Sequence, residues 1–480
     1  MASLSDREID AVARRIVADI GAGRGEPAQA VAAGSPSEAG TGVYGTVDEA
    51  VQAARRAQPA FGRLPLKTRA EIIAAIRRTM VEHAASLAQA AYEETGLGRV
   101  EDKVVKNLLV TEKTPGLEDL YPRAVTGDHG LSLTEPAPFG VIGAITPVTN
   151  PTSTIICNAI GMLAAGNAVV FNVHPSARNC SIQTVALLNA AIRAAGGPQD
   201  VVTCVGHPSI ETAQETMRHP GIRLLVVTGG GAVVKAAMAS GKRAICAGPG
   251  NPPVVVDETA HIDKAGRDIV LGASTDNNII CTDEKEVIVV ASVADALIGA
   301  MAAAGAALVE KSQLPALEQL IFSSIEGPRR AAHVNKDLIG KNAGVILRRL
   351  GMNVPESARL AVVEVDEGHP LLWTEQMMPV LPVCRVPTVD AAIDLAVEVE
   401  GGNRHTAVMH STNIDSLSRM ARECDCSIFV KNGRSQAGLG LDGEGFASFT
   451  IASPTGEGLT GPRSFSRWRR CVMVDHVRIT

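Results

Sequence analysis

Cys281 stands in the run Asp276-Asn277-Asn278-Ile279-Ile280-Cys281-Thr282, just ahead of the apolar stretch EVIVV. A thiolate is the strongest side-chain nucleophile near neutral pH and adds readily to a carbonyl carbon. A polar turn before a buried strand would hold it rigidly at a cleft. The competing reading is a small core residue, because free cysteine is usually buried and the chain carries 9 Cys. Asn150, in Thr146-Pro147-Val148-Thr149-Asn150-Pro151, offers an amide donor suited to a developing oxyanion. That segment follows a predicted strand, at the end where open α/β sheets bind ligands. An Asn before Pro is also an ordinary turn former.

Gly229, Gly230 and Gly231 separate LLVVT from AVVKAAMASG. Such a strand–glycine–helix turn directs backbone N–H groups at an anion such as a pyrophosphate. It is not a strict G-x-G-x-x-G, and it serves equally as a tight turn with no ligand. Glu375, in EQMMPV, has a carboxylate able to hold ribose hydroxyls, and His405, in NRHTA, can polarise a carbonyl or move a proton. Each also fits a solvated loop. GPGNPP (248–253) reads as a rigid elbow with a structural role. No metal site is expected.

These residues need a scaffold, and the pattern around them supplies one. Strands FGVIGAITPV (139–148), NAVVFNV (167–173), VVTCVG (201–206), IRLLVVTG (222–229) and RAICAG (243–248) alternate with apolar helical runs. That alternation predicts a parallel sheet with right-handed crossovers. A second alternating block runs from VVVD (254–257) to about Phe446. Helices are expected over DEAVQAARRAQPAFGRL, over the single run KTRAEIIAAIRRTMVEHAASLAQAAYEETG and over RVEDKVVKNLLVTEKTPG. Residues 124–138 and the tail RRCVMVDHVRI (469–479) read as extended.

Composition narrows the function. The 480 residues, at about 150 per domain, suggest about three domains or lobes. With 46% hydrophobic and 20% charged residues the chain is expected to be globular, and its net charge of −6 argues against a nucleic-acid binder. No apolar run approaches the ~20 residues of a membrane span, and no secretory leader is expected near Met1. An odd number of scattered cysteines suits free thiols in a reducing cytoplasm.

Taken in order, FGVIGAITPVTNPTSTIICNAIGMLAAGNAVVF (139–171), AICAGPGNPPVVVDETA (244–260), NNIICTDEKEVIVV (277–290), TEQMMPVLPV (374–383) and SFTIASPTGEGLTGPRSFSRWRRCVMVD (448–475) resemble the aldehyde dehydrogenase superfamily. The resemblance covers residues ~45–480, the span that two α/β lobes of one enzyme need. It is greatest to the CoA-acylating propionaldehyde and acetaldehyde dehydrogenases of bacterial microcompartments. It implies an α/β fold of two Rossmann-like domains plus a small β oligomerisation arm. On that basis residues 46–123 and 139–247 form the NAD-binding domain, 248–446 the catalytic domain, and 124–138 with 447–480 the arm and C-terminal segment.

The resemblance also implies roles. Cys281 is the nucleophile, and Asn150 with the N–H of Cys281 forms the oxyanion hole. Thr146, Pro147 and Gly229–Gly231 face the dinucleotide, Glu375 grips the nicotinamide ribose, and His405 lies near the reacting centre. NAD is the expected cofactor and coenzyme A the co-substrate, acting on propionaldehyde or acetaldehyde in a homodimer or homotetramer. Two departures matter. Hydrolytic relatives carry a general-base Glu where this chain has Ile245-Cys246-Ala247-Gly248-Pro249-Gly250-Asn251-Pro252, with no carboxylate to activate water. A CoA thiol deprotonates far more easily than water, so thiolysis of an acyl-enzyme fits this gap. Asn172 stands where many relatives have a Lys that binds the adenine ribose or a 2′-phosphate, and without a phosphate-pairing cation NADP would be held less well. The alternatives are a hydrolytic NAD(P)-dependent aldehyde dehydrogenase and a non-catalytic cargo protein that kept the fold.

Residues 1–22 form a separate unit. Ile9, Val12, Ile16 and Ile20 recur at helical spacing among charged residues, and residues 23–45 are rich in Gly, Ala, Pro and Ser. An amphipathic helix on a flexible linker is expected. The segment is either a disordered terminus, a helix docked on its own body, or a docking tag for another protein. It is similar to the encapsulation peptide of the microcompartment enzymes, which implies a shell-protein partner and a place inside a bacterial microcompartment.

Overall fold

Leu224–Thr228, Val141–Ile145 and Ala168–Asn172 are near-continuous apolar runs, and their side chains are buried on both sides of the sheet. That is the composition of strands covered on both faces by helices. The computed structural model describes residues 40–355 and 358–479. The expected helix over 1–22 and nearly all of the linker lie outside the described residues. The chain divides into two compact units, the first made of residues 40–94, Val104–Ala247 and 446–479, the second of Thr95–Lys103 and Gly248–Gly445.

The first unit contains a six-stranded parallel sheet in the order Val43–Tyr44, Val202–Val205, Ala168–Asn172, Val141–Ile145, Leu224–Thr228, Ala244–Ala247. Chain order runs one way from Val141–Ile145 through the next two strands and then restarts on its other side. This reversal is a topological switch point, where ligands of such sheets bind. Ile145 pairs with Asn172 on one side and Val227 on the other, so Thr146, Val173 and Thr228 follow at one edge. Helix Pro151–Ala164 has all of its residues buried and opens with proline in its first turn, where a missing N–H costs nothing. Helix Val47–Gly62 is started by a capping box between Thr46 and Glu49.

A three-stranded antiparallel sheet joins Arg123–Gly127, Gly130–Pro138 and Ser466–Val474. The strands that resembled an arm are therefore paired, with Trp468, Val472 and Val474 exposed. The segment leading to the last strand is woven into the first unit. Ala447 N–H donates to Lys113 O at 3.0 Å, the Thr450 and Thr228 hydroxyls meet at 2.8 Å, Cys246 N–H donates to Thr455 Oγ1 at 3.0 Å, and Asn167 Nδ2 donates to Phe465 O at 2.9 Å.

The second unit carries a seven-stranded parallel sheet ordered Ala307–Val309, Ala361–Val365, Val380–Val386, Glu286–Val290, Pro253–Val256, Thr406–His410, Ile428–Lys431. Ile288, Val363, Val380 and Met409 sit in its core with Leu338, Leu371 and Leu395.

Two expectations change. The long helical run from Lys67 is two helices, Leu66–Glu82 and Ala84–Thr95, because His83 leaves helical geometry and Asn107 Nδ2 donates to the Ala84 carbonyl at 3.0 Å. Thr95–Lys103 groups with the second unit rather than with the rest of 46–123. Gly98 N–H donates to Gly340 O at 2.9 Å, Arg99 N–H to Asp276 Oδ1 at 2.6 Å, and Lys103 Nζ pairs with Asp276 Oδ2 at 2.9 Å.

Candidate functional site

Gly250 organises the second unit's share of the site. A Cβ built on it would lie 2.7 Å from the Cys281 carbonyl oxygen and 2.9 Å from His405 Cγ. Its N–H donates to Glu375 Oε1 at 3.4 Å. Three residues far apart in sequence thus meet around one glycine whose missing side chain makes the room. The elbow read as structural is the wall of this cluster, and the fold brings a carboxylate, Glu375, to a stretch that has none of its own.

Cys281 follows a short 3-10 turn, Thr275–Asn278, and precedes strand Glu286–Val290. Among the nine free cysteines six are buried, while Cys281 and Cys426 are half-buried and Cys471 is exposed. The buried-core reading therefore fits those six better than it fits Cys281. Cys246, in the stretch matched to the one where hydrolytic relatives carry a Glu, is fully buried. Burial pushes the Cys281 thiol up to about 12, the carboxylates of Glu375 and Asp283 add to this, and Lys285 opposes it. The thiol is therefore protonated at rest and must lose its proton before it reacts.

The turn before Cys281 is unusual. Asp276, Asn277 and Asn278 all have positive φ, at 45°, 57° and 65°. Left-handed backbone costs on the order of 1–2 kcal/mol per residue, and Asn and Asp bear it best among residues with a side chain. Met377 (φ 51°), close to Glu375, and Arg404 (φ 53°), beside His405, share this conformation. Strained backbone persists where surrounding bonds over-determine it. Asn277 Nδ2 donates to the carbonyls of Gly98 and Gly340 and to Asn342 Oδ1, and Asn278 Nδ2 donates to those of Ala273 and Glu284.

His405 is fully buried at the start of strand Thr406–His410. Its N–H donates to Glu400 Oε1 at 2.9 Å and its Nδ1 meets the Thr406 hydroxyl at 2.9 Å. Nε2 is buried with no hydrogen-bond partner. Burial, helped by Lys285, pushes the imidazole down to about 4, so it is neutral near pH 7. Glu375 is pushed up by burial and drawn down by Lys285 and by the Gly250 N–H.

Lys285 is the residue that sequence reasoning missed. It lies in Asp283-Glu284-Lys285-Glu286, a charge run that reads as solvated, yet all four are fully buried. Its signal was that the run leads straight into the apolar strand EVIVV, with Glu286 already part of it. Asp283 and Glu286 are pushed well above the usual carboxylate range by burial.

The first unit holds the other candidates. Asn150 sits at the N-terminus of helix Pro151–Ala164 without capping it. Lys106 Nζ donates to its Oδ1 at 2.5 Å, and its Nδ2 donates to Thr149 Oγ1 at 3.2 Å. Lys106 thereby fixes which way the amide faces; it too escaped notice, as one charge on an amphipathic helix. Thr146 is buried and its Oγ1 has no partner. Helix Gly231–Met238 begins at Gly230, and added Cβ atoms at Gly230 and Gly231 would meet nothing within 4 Å. Open space before a helix N-terminus at the switch point fits a dinucleotide pyrophosphate. Asn172 does not face outward as a substitute for Lys: its Nδ2 is tied to Thr212 Oγ1 at 2.9 Å and Thr216 Oγ1 at 3.3 Å. Asn150, Thr146, Pro147 and Gly229–Gly231 belong to the first unit, and Cys281, Glu375 and His405 to the second.

Among the described residues no group of three or more His, Cys, Asp or Glu is placed to hold a metal ion, and no helix is long and apolar enough to cross a membrane. The model of the aldehyde dehydrogenase family matches residues 37–441. An acetylating acetaldehyde dehydrogenase of Salmonella typhimurium is 52% identical over 439 residues, covering 91% of this chain and 93% of its own. Among solved structures, an engineered glycolyl-CoA reductase with bound NADP+ has 49% identity and a TM-score of 0.89, covering 92% of this chain and 100% of its own. A Rhodopseudomonas palustris propionaldehyde dehydrogenase with bound CoA and an acylated cysteine has 50% identity and a TM-score of 0.88, covering 91% and 98%. A propionaldehyde dehydrogenase of the Clostridium phytofermentans fucose utilisation microcompartment has 46% identity and a TM-score of 0.88, covering 92% and 100%.

Proposed function

The chain belongs to the aldehyde dehydrogenase family, and from that premise we propose that it is a CoA-acylating member, converting a short-chain aldehyde, CoA and NAD(P) to acyl-CoA and NAD(P)H. One observation carries this reading: a half-buried Cys281, a neutral His405 with a free Nε2, and Glu375 converge on Gly250. The acylated cysteine and bound CoA of the R. palustris relative support the same chemistry.

Cys281 gives up its thiol proton to solvent, its sulfur adds to the aldehyde carbon, and the aldehyde oxygen becomes an oxyanion. We assign its donors as the Cys281 N–H and Asn150 Nδ2, the latter oriented by Lys106. Glu375 is assigned to a ribose hydroxyl, and Thr146 Oγ1, Pro147 and the Gly229–Gly231 turn, open at Gly230 and Gly231, to the dinucleotide. That dinucleotide, when bound, supplies the hydride acceptor that leaves Cys281 carrying a thioester. The CoA thiol then attacks the thioester carbon, its proton passes to His405 Nε2, and Cys281 departs. An imidazole held at about 4 is a weak base, so it returns that proton readily. NAD is our preferred dinucleotide, since the Asn172 amide is committed to Thr212 and Thr216 and presents no cation to a 2′-phosphate.

The test is a kinetic matrix with two- to four-carbon aldehydes, with and without CoA, and with NAD against NADP. Without CoA the expected result is a burst of at most one NADH per site followed by near-silence. Steady release of carboxylic acid without CoA would overturn the acylating reading in favour of the hydrolytic one.

We also propose that residues 1–22 direct the enzyme to a microcompartment shell in the bacterial cytoplasm. The Ile9, Val12, Ile16, Ile20 stripe supports this, as does the microcompartment origin of one relative. The exposed apolar residues of the three-stranded sheet support self-association into a homodimer or homotetramer. A reporter carrying residues 1–22 should gather in compartment-forming cells, and an Ile9/Ile16 to Glu pair should leave it diffuse. Diffuse signal from the unsubstituted fusion refutes the tag.

A further inference from the structure

The buried ammonium of Lys285 has no place in the reaction just described, and its surroundings define what it does. Nζ donates to Asn278 O at 2.7 Å, to Asn278 Oδ1 at 2.7 Å and to Ile280 O at 3.2 Å. An ammonium has three protons, and these three acceptors take them all. None is left for a substrate, which excludes a role as proton donor. All three acceptors are neutral oxygens, and all lie in the short stretch that ends at Cys281.

Burying a cation is costly unless every proton is satisfied. Lys285 accepts this cost directly behind the left-handed turn Asp276–Asn278, where it is fully buried. That turn is held elsewhere from outside: Asp276 by Arg99 N–H and Lys103, Asn277 by the Gly98 and Gly340 carbonyls. Lys285 holds it from within. The far end of the same residue is fixed as well, because Gln376 Nε2 donates to Lys285 O at 3.0 Å, and Gln376 adjoins Glu375.

We propose that Lys285 is a positioning residue for the reacting thiol: it clamps the carbonyls of Asn278 and Ile280 so that Cys281 is presented in one place, with a fixed positive charge behind it. The inference rests on Cys281 being the nucleophile. The charged groups acting on Cys281 are Glu375 and Asp283, which disfavour the thiolate, and Lys285, which favours it. Lys285 also draws down Glu375. Removing it leaves the sulfur among carboxyl groups alone.

The test compares Lys285→Met, Lys285→Arg and the unsubstituted enzyme in the full chain. Alkylation of Cys281 is followed by peptide mapping with neutral iodoacetamide and anionic iodoacetate. Loss of one unit of thiolate stabilisation slows iodoacetamide about tenfold at a given pH. A merely structural loosening would not change the ratio of the two reagents, whereas loss of the cation should lower the iodoacetate to iodoacetamide ratio by about threefold or more. In Lys285→Arg the ratio should return, because the charge is kept. Its kcat should still fall about tenfold, with the aldehyde KM little changed, because a planar guanidinium cannot meet three converging acceptors.

Lys285→Met that melts like the unsubstituted enzyme and keeps both rate and ratio overturns the proposal. If Lys285→Met does not fold, Lys285→Arg decides alone, and full kcat overturns the clamp. Failure of the underlying reading looks different: Cys281→Ala would then retain turnover whatever Lys285 does.

Discussion

Gly250→Ala tests whether the convergence on one glycine matters. The substitution adds a single carbon and does not force a strained backbone, since Gly250 is not among the residues with positive φ. The new Cβ would lie 2.7 Å from Cys281 O, 2.9 Å from His405 Cγ and 3.2 Å from His405 Cβ. Carbon atoms pack best at about 3.5–4.0 Å, so the cysteine loop and the imidazole must together give way by about half an ångström or more. Neither side yields cheaply. The Cys281 loop is braced by Lys285, and the imidazole by the Thr406 hydroxyl. Overpacking of this kind costs about 1–3 kcal/mol of stability. The larger effect should be on rate, because a 1 Å misplacement of reacting groups costs about a hundredfold. We expect kcat to fall about 10- to 100-fold, with dinucleotide affinity changed far less, since of the residues assigned to the dinucleotide only Glu375 is bonded to Gly250. Stopped-flow NADH formation with and without CoA separates the acylation step from thiolysis, and a melting curve reports the stability change. A variant with kcat within about twofold of the original would refute the reasoning, and would mean that Cys281 and His405 do not need this spacing.

Cys281→Ala should abolish aldehyde oxidation with dinucleotide binding nearly intact, as read by fluorescence titration. If turnover persisted, Cys246 would be next in line by sequence, although it is fully buried and burial pushes its thiol up to about 11. Asn150→Ala should lower kcat about 10²–10³-fold, the usual cost of an oxyanion donor, and Lys106→Met should lower it less; an unchanged kcat in Asn150→Ala removes the oxyanion role. His410 provides a stability test away from the cluster. It is almost wholly buried, and burial lowers its imidazole from 6.5 to about 4. Between those values the unfolded chain binds a proton that the folded chain does not, so stability falls as pH drops from about 6.5 to about 4 and is unaffected above that window. The contribution is up to about 3 kcal/mol. Urea titrations of His410→Gln should show that much less acid sensitivity, and an identical pH dependence would exclude His410 as a source of it.

The alternation of strands and helices was legible because parallel strands covered on both faces are near-continuous apolar runs, as VIGAI, AVVFN and EVIVV are but for one end residue in the last two. Helix Pro151–Ala164 was legible for a similar reason, its ten residues from Ile155 being apolar but for Asn158. Gly250, Lys106 and Lys285 were not legible as functional, because their roles depend on what the fold places beside them. A glycine between prolines looks the same whether it forms a hinge or makes room for two reacting side chains. The run Asp283–Glu286 has the composition of a solvated loop. Only packing shows that Glu284 is held by Ser435 and Lys285 by Asn278. The break at His83 was hidden because Ala84 and its neighbours are good helix formers, and a tertiary bond from Asn107 decides the matter.

Ribosomal synthesis meets the two units in an order that differs from their spatial grouping. Phe446–Thr480 belongs to the first unit but is made after all of Gly248–Gly445. The partners it supplies, Thr450 for Thr228, Thr455 for Cys246 and the Phe465 carbonyl for Asn167, reach the first unit late. At about 5–20 residues per second, the intervening stretch of roughly 200 residues takes some tens of seconds to emerge. During that interval the Gly130–Pro138 strand lacks the partner Ser466–Val474 and presents an open edge, the kind of surface that strand-seeking neighbours on a polysome find first.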